Sequence, residues 1–268
     1  MSENTDPLLE NSLLENSPTI DPFAWLSRTE AMLGRENLEI LAQKHVIVIG
    51  LGGVGSFAAE LICRGGVGEM TIVDGDTVDL SNCNRQLPAM ATNVGQHKAD
   101  IMADRLRNIN PNMRLNVIKE FLSPEKIDEL LKHPYDYLVD AIDSITPKLR
   151  VIKYAYERRI PFVSSMGAGG KFDPTLVRIT DISKTKNCAL AQHIRKCLKR
   201  KGISKGFKVV FSAEVPMHES IMYTDGSNYK KSAYGTMSYM PAVFGCCCSA
   251  TVLRGLLRKK GEPLDIGD

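Results

Sequence analysis

The apolar run Val46–Ile49 opens directly into Gly50-Leu51-Gly52-Gly53-Val54-Gly55-Ser56, a G-x-G-x-x-G turn between a predicted strand and a predicted Ala-rich helix. In that setting Gly50 permits the tight turn, Gly52 lets the backbone approach a phosphate, and Gly55 lets helix and strand pack closely. The start of the helix then presents free N–H groups and partial positive charge to an anion. Asp74 closes the second predicted strand, where an acid can hold ribose hydroxyls. Up to this point a nicotinamide oxidoreductase and an enzyme acting on ATP share the same residues. The next stretch of chain separates them, because Asp74-Gly75-Asp76 leads to Ser81-Asn82-Cys83-Asn84-Arg85-Gln86 and then to Lys98. A dinucleotide dehydrogenase has no need of an arginine and a lysine there. A triphosphate that loses pyrophosphate does, since cations must neutralise the charge growing on the leaving group. No G-x-x-x-x-G-K-[ST] sequence occurs, which excludes a P-loop NTPase.

The elements that must position these residues alternate. Apolar runs at Val46–Ile49, Met70–Val73, Leu115–Ile118, Tyr137–Val139 and Phe162–Ser164 are separated by helix-length segments at Val54–Cys63, Lys98–Ile109, Pro124–Leu131 and Pro147–Arg158. Strands alternating with helices imply right-handed crossovers and a mostly parallel sheet covered on both faces. The expected class is therefore α/β: Rossmann-like and doubly wound, with a less regular C-terminal part. Before the first strand, residues 28–42 predict a short helical lead-in. After Ser165, residues 177–180 predict an exposed strand, Cys188–Arg200 a basic helix, Val209–Ser212 a strand, and 217–240 a loop. Residues 1–22 predict a disordered acidic tail. The remainder, 23–268, reads as a single domain with a nucleotide-binding part over about 44–165 and a substrate or dimer part over about 166–260.

With 268 residues, 43% hydrophobic and 24% charged, the chain has the composition of a soluble globular protein. Its net charge of +3 is unevenly spread: residues 1–27 hold five acids and no Lys or Arg, whereas residues 184–208 hold nine Lys/Arg and no acid. The second stretch points to an anionic partner. Seven cysteines without regular spacing do not form a disulfide framework, and Cys246, Cys247 and Cys248 read as small buried hydrophobes in a reducing compartment. No basic-then-apolar leader is visible, so the expected location is cytoplasmic. The apolar segment Met237–Leu253 reads as a buried helix at a subunit contact, and no stable membrane insertion is expected.

Taken together, G-x-G-G-V-G-S, D-x-D-x-V-x-x-x-N-x-N-R-Q, V-G-x-x-K and Asp140-Ala141-Ile142-Asp143-Ser144 closely resemble the ThiF/MoeB/ubiquitin-activating superfamily over about residues 28–180. The resemblance implies that Gly50, Gly52, Gly53, Gly55, Asp74, Asp76, Asn82, Arg85, Gln86, Lys98 and Asp143 bind ATP. Of these, Asp74 would hold the ribose, and Asn82, Arg85 and Lys98 the phosphates. Asp143 would place Mg²⁺ and is expected to cap the helix before Pro147 as well. Arg28 looks like the arginine that reaches into a partner subunit's site, which implies a homodimer. The two C-x-x-C pairs that hold zinc in sulfur-carrier activators are missing, so structural zinc is not expected.

The motifs Asn110-Pro111, residues 166–174, residues 180–185 and Lys208-Val209-Val210-Phe211-Ser212 further resemble the tRNA threonylcarbamoyladenosine dehydratase branch, over about residues 25–257. That branch activates a threonyl carboxylate beside the anticodon with ATP and closes it into a ring with loss of water. The basic residues Arg195, Lys196, Lys199, Arg200, Lys201 and Lys205 then become the expected tRNA contacts, with Lys230 and Lys231 in support. Cys188, near Lys184 and Lys186, is the one cysteine placed for reactivity, and a non-catalytic role is favoured for it. Two alternatives stay open: adenylation of the C-terminal glycine of a sulfur-carrier or ubiquitin-like protein, and a non-catalytic partner of a cysteine desulfurase. Participation of a monovalent cation also stays open.

Overall fold

The computed structural model describes residues 21–223 and 232–258; most of the expected acidic tail, and Lys230 and Lys231, lie outside them. Asp21, the last acid before the domain, pairs with Arg35 at 2.6 Å, and that guanidinium holds its carboxyl down at about 2. The lead-in is two helices rather than one, α1 (Ser27–Leu33) and α2 (Arg35–Ala42), because Gly34 between them takes a φ of 81° that no helix residue can hold.

Then the alternation begins: β1 (His45–Ile49), α3 (Gly55–Arg64), β2 (Glu69–Val73), α4 (Lys98–Ile109), β3 (Arg114–Ile118), α5 (Pro124–Leu130), β4 (Tyr137–Asp140), α6 (Ile145–Arg158) and β5 (Phe162–Ser165). The C-terminal part supplies β6 (Val177–Asp181), α7 (Ala189–Lys199), β7 (Lys208–Ser212), the hairpin β8 (Ile221–Tyr223) and β9 (Ser232–Tyr234), and α8 (Tyr239–Leu256). Seven strands form one sheet in the order β3-β2-β1-β4-β5-β7-β6. Every neighbouring pair is parallel except β6–β7, which is antiparallel and puts β6 at an edge.

The near-continuous apolar runs follow from burial on both faces. In β1, Val46 and Val48 enter the core beneath α3, α4 and α8, while Ile47 and Ile49 enter the core beneath α5, α6 and α7. The expected strands and helices up to β5 are all present within two residues of their sequence bounds. Residues 217–240 differ from the expected loop: they contain the β8–β9 hairpin and the first turn of α8. Three-residue strands are too short to show a period of two, and the segment's Gly, Ser and Tyr content read as a turn.

Helix α8 is long and apolar enough to cross a membrane by length and composition, yet half of it is buried against the protein. It lies along α3 so closely that a Cβ on Gly245 would come within 2.7 Å of both Phe57 Cβ and the Val54 carbonyl oxygen. The three adjacent cysteines are not equally buried as expected: Cys248 is buried, Cys247 half-buried and Cys246 exposed. Consecutive helix residues are rotated by about 100°, so three in a row cannot share one face. We expect Gly245→Val to lower stability by about 1–3 kcal/mol through overpacking against backbone. Thermal denaturation would read this as a lowered midpoint, and an unchanged midpoint would show that α8 can shift away from α3.

Candidate active site

The strand order reverses between β1 and β4, and the sequence-predicted nucleotide residues gather beyond the carboxyl ends of the strands around that reversal. Gly50 leaves β1 with a φ of 91°, and its N–H donates to the Val73 carbonyl at 2.8 Å. Gly55 begins α3 so close to the turn that a Cβ there would stand 1.7 Å from the Gly50 carbonyl oxygen. At Gly52, by contrast, a Cβ would meet only the Gln86 amide, 3.7 Å away. The turn is therefore pinned at its base and open at the point where a phosphate must approach.

Asp74 ties this turn to the next one. Its Oδ2 accepts from the Leu51 N–H at 2.6 Å and its Oδ1 from the Asp76 N–H at 2.7 Å. Burial pushes the Asp74 carboxyl above its ordinary value, against the opposing pull of those two amides and of Lys98. Lys98, the first residue of α4, is not a solvated cation: it is buried, and its ammonium donates to Asp76 Oδ2 at 3.0 Å. Asn82 Oδ1 accepts from the Asp79 N–H at 3.3 Å, closing the short turn 80–82. Arg85 is half-buried, with Nη1 donating to the Ser81 carbonyl and to Asn84 Oδ1, both at 2.9 Å.

Gln86 shows whether ATP fits. Its Oε1 is buried and has no hydrogen-bond partner among the described residues. An orphaned acceptor costs about 1–3 kcal/mol, and here it stands beside the open cradle at Gly52. The atom of Gln86 nearest Gly52 is its amide nitrogen, a donor, and that donor beside open backbone at the start of a helix fits the phosphates of ATP.

Asp143 is exposed and follows β4 by three residues. It is not the N-cap of α6: that position is Ser144, which makes no side-chain cap bond. Among the described residues no cluster of three or more His, Cys, Asp or Glu side chains could hold a metal alone. Mg²⁺ commonly takes one carboxylate and completes its shell with substrate phosphates and water, a role Asp143 fits beside a bound triphosphate.

Sequence reasoning missed the pair behind this loop. Lys148 and Asp140 are both fully buried and 2.6 Å apart, Lys148 also donates to Ser164 Oγ at 3.1 Å, and Asp140 Oδ1 accepts from the Ile142 N–H at 3.1 Å. Lys148 sits eight residues after Asp140, on α6, and its charge concealed it as a surface residue. A lysine inside the apolar face of a predicted helix was the available signal.

Other predicted residues lie apart. Arg28 is exposed on α1, a helix with no buried residue. Cys188 is buried as the N-cap of α7, its sulfur accepting from the Ala191 N–H at 3.5 Å, which is a structural position. Near it Lys171, buried, donates to the carbonyls of Asn187 and Glu214, and desolvation lowers its pKa. Arg195 turns inward, with its guanidinium on the Thr185 carbonyl and hydroxyl, whereas Lys196, Lys199, Arg200, Lys201 and Lys205 are exposed. Helix α7 ends where β7 begins, so these last cations lie at the opposite edge of the sheet from the nucleotide turn.

Residues 26–265 match the ThiF family, and the chain belongs to it. It is 40% identical over 239 residues to the tRNA threonylcarbamoyladenosine dehydratase of Bacillus subtilis, covering 87% of this chain and 94% of that protein. The crystal structure of the Escherichia coli tRNA N6-threonylcarbamoyladenosine dehydratase in complex with ATP is similar at a TM-score of 0.80 and 36% identity, over 88% of this chain and 94% of that one. The molybdopterin-synthase adenylyltransferase of Escherichia coli is 31% identical over only 47% of this chain and 50% of its own length.

The two bonds at Asp74 generate a test. In Asp74→Asn one of the two backbone N–H groups faces an amide NH₂ instead of an acceptor, and we expect ATP affinity to fall at least about tenfold, for a loss of about 1–3 kcal/mol. The sign of the pH effect follows from the raised pKa. As an acid with a folded value above its unfolded one, Asp74 contributes stability below that folded value and loses it as pH rises through it. An ionised carboxylate is the stronger acceptor, so for a ribose-holding Asp74 the expected outcome is ATP binding that strengthens as pH rises through the same value. Calorimetric titration across the acidic range should show that step in the native protein and not in Asp74→Asn; the same step in both would assign it elsewhere.

Proposed function

We propose that this protein catalyses the ATP-dependent dehydration of threonylcarbamoyladenosine beside the anticodon of tRNA, by adenylating the threonyl carboxylate and closing the ring within the same side chain. The observation that carries this reading is the joint occurrence of an assembled nucleotide cradle, open at Gly52, and near full-length similarity to proteins named for that reaction.

In the first step a threonyl carboxylate oxygen attacks the α-phosphorus and the bond to pyrophosphate breaks. Open backbone at Gly52 and the N-terminus of α3 receive the phosphates, Asp74 accepts from the ribose, and Arg85 and Lys98 offset charge on the departing pyrophosphate. Lys98 meets that demand through its existing bond to Asp76, which fixes the ammonium before ATP arrives. Mg²⁺, held by Asp143 and phosphate oxygens, would supply further charge neutralisation at that phosphate chain. In the second step the carbamoyl group of the same side chain attacks the activated carbonyl, AMP departs, and one proton is released, for a net loss of one water. Because both groups sit on one side chain, effective molarity supplies up to about 7–11 kcal/mol in well-oriented cases. No enzyme nucleophile is needed, which agrees with the buried capping position of Cys188.

The working unit in this reading is a cytoplasmic homodimer in which Arg28 of one subunit completes the site of the other. Its support is the placement of Arg28 on a helix that buries nothing, beside Trp25 and Met32, both exposed large apolar side chains.

Incubated with Mg-ATP and tRNA bearing threonylcarbamoyladenosine, the protein should yield a nucleoside lighter by one water, with AMP as co-product. Nucleoside mass spectrometry checks this. Tight ATP binding with no mass change, but AMP formation dependent on a small sulfur-carrier protein, would transfer the activity to the carrier reading; ATP binding with no turnover on either substrate would leave a desulfurase partner.

The trans arginine is tested by complementation. Arg28→Ala and Asp143→Asn should each be inactive. Under subunit exchange about half the dimers are mixed, each with one intact site, so activity should recover to about a quarter of wild type. If Arg28 acts within its own subunit, every site in the mixture keeps a lesion and activity stays at the floor.

A further inference from the structure

Strands β1, β4, β5 and β7 are adjacent and parallel, so the phosphate turn after β1 and Asp143 after β4 lie past their carboxyl ends and the segments entering them share the opposite edge. Two of those entering segments carry excess positive charge, and another, entering β4, sets Lys132 in the same segment as Asp136. Lys132 and His133 precede β4, Arg158 and Arg159 precede β5, and Lys199, Arg200, Lys201 and Lys205 precede β7. All eight are exposed. They are far apart in sequence and become neighbours only because β4, β5 and β7 are consecutive in the sheet. Packing holds the segments together: the Phe207 ring stacks on Phe162 with centroids 5.1 Å apart, and meets Tyr156 of α6 edge-on at 6.4 Å.

Between the first two segments opens a cavity of about 420 Å³, lined by Lys132, His133, Arg158 and Arg159 together with apolar groups, and by no acid. In an adjoining recess, lined also by Asp128 and Glu157, the hydroxyl of Tyr154 is buried without a hydrogen-bond partner among the described residues, and the Arg158 guanidinium lies 5.1 Å from the centre of the Tyr154 ring. The nearby acids are already engaged: Glu129 with Lys132, Glu157 with Lys153, Asp128 with Arg150, and Asp181 with the N–H groups of Ser183 and Gly206. Arg159, Lys199, Arg200, Lys201 and Lys205 enter no ion pair among the described residues. The edge is left with an excess of uncommitted positive charge and a recess for an anionic group.

We propose that this edge is a second contact for structured RNA, gripping sugar–phosphate backbone at a place remote from the nucleotide whose carboxylate is activated. The proposal rests on the tRNA reading of the active site. The strands between the edges are four or five residues long, which at about 3.3 Å per residue separates the two edges by about 13–17 Å before loops are counted. A single nucleotide cannot fill both places, so the far edge takes RNA beyond the nucleotide whose carboxylate is activated. The substrate is then recognised as a folded RNA rather than as a modified nucleoside.

The test uses the full chain, unmodified tRNA and no ATP, so that binding is read independently of dehydration. Lys132→Glu/Arg159→Glu changes the two segments that sequence alone did not single out, and Lys199→Glu/Lys201→Glu changes the third. Each pair should weaken tRNA binding and lower the log–log salt slope by about 0.7–0.9 for every phosphate no longer neutralised, with ATP affinity unchanged. If the pair at 132 and 159 unfolds the chain, Arg159→Gln and Lys132→Gln replace it. On modified tRNA the pair should raise KM and leave kcat intact, while on an isolated anticodon stem-loop it should change neither. An unchanged slope for the pair at 132 and 159 overturns the proposal, as does a wild type that binds no tRNA. Slope loss without any dehydration by the wild type would uphold the RNA edge and sink the reaction instead.

Discussion

A fully buried ion pair sets the geometry on which the candidate site depends. Lys148 reaches from α6 to Asp140 at the end of β4, and Ser164 on β5 bonds to both, so one network joins two central strands to the helix that follows the first. Such a pair contributes little net stability, since the desolvation of two charges offsets their attraction, but losing either partner costs about 3–5 kcal/mol. What it provides is a fixed turn. Asp140 Oδ1 holds the Ile142 N–H, and the Ala141 carbonyl oxygen then stands 2.8 Å from where a Gly50 Cβ would be. The position of Asp143 and the back of the phosphate turn therefore depend on the same two buried charges. Cys248 of α8 lies against this network, and burial pushes its thiol well up, which keeps it neutral beside Asp140.

Most of the nucleotide side was legible in the sequence because its requirements are local. A turn that leaves a strand with positive φ and starts a helix under a carbonyl demands glycine at fixed offsets, and Gly50 and Gly55 meet that demand. The environments of the charged groups were not legible. Lys98 is buried on Asp76, Arg195 folds back on Thr185, and Asp143 stands one residue before the cap of α6. Residue type gives a charge; only the packing of distant segments decides whether it meets solvent, another charge or a ligand.

The same division runs through the fold. Four crossovers were readable because a sheet buried on both faces needs continuous apolar strands and its helices need one apolar stripe. The lead-in was read as one helix because the apolar periodicity runs on through Gly34, whose φ breaks it. The β8–β9 hairpin left no trace, since its three-residue strands make their case through pairing with each other and through Tyr234 seated against Gly169 and Gly170. The Tyr234 contacts with Gly169 and Gly170 span more than sixty residues of chain, beyond any local window.

The parallel sheet also resolves a conflict between two polyanions. Around the phosphate turn the protein places three carboxylates, Asp74, Asp76 and Asp143, with Arg85 and the already paired Lys98 as the nearby cations. That arrangement suits ribose hydroxyls and a metal-bearing triphosphate, and it is a poor surface for bare nucleic-acid backbone. The uncommitted cations sit instead at the edge where the strands begin, about 13–17 Å away by strand length. At physiological ionic strength, charges on the surface are screened over about 8 Å, so cations at one edge barely alter the field felt by ATP at the other. Crossover topology produces part of this separation without further design: each helix between parallel strands, α6 among them, returns the chain to the starting edge, and α7 reaches the same edge between the antiparallel β6 and β7. Lys199 ends α7 and Arg158 ends α6, and both positions also favour a cation because the helix dipole is negative at its C-terminus. Local electrostatics and global topology thus converge on the same edge, which is why charge collected there from segments that share no sequence motif.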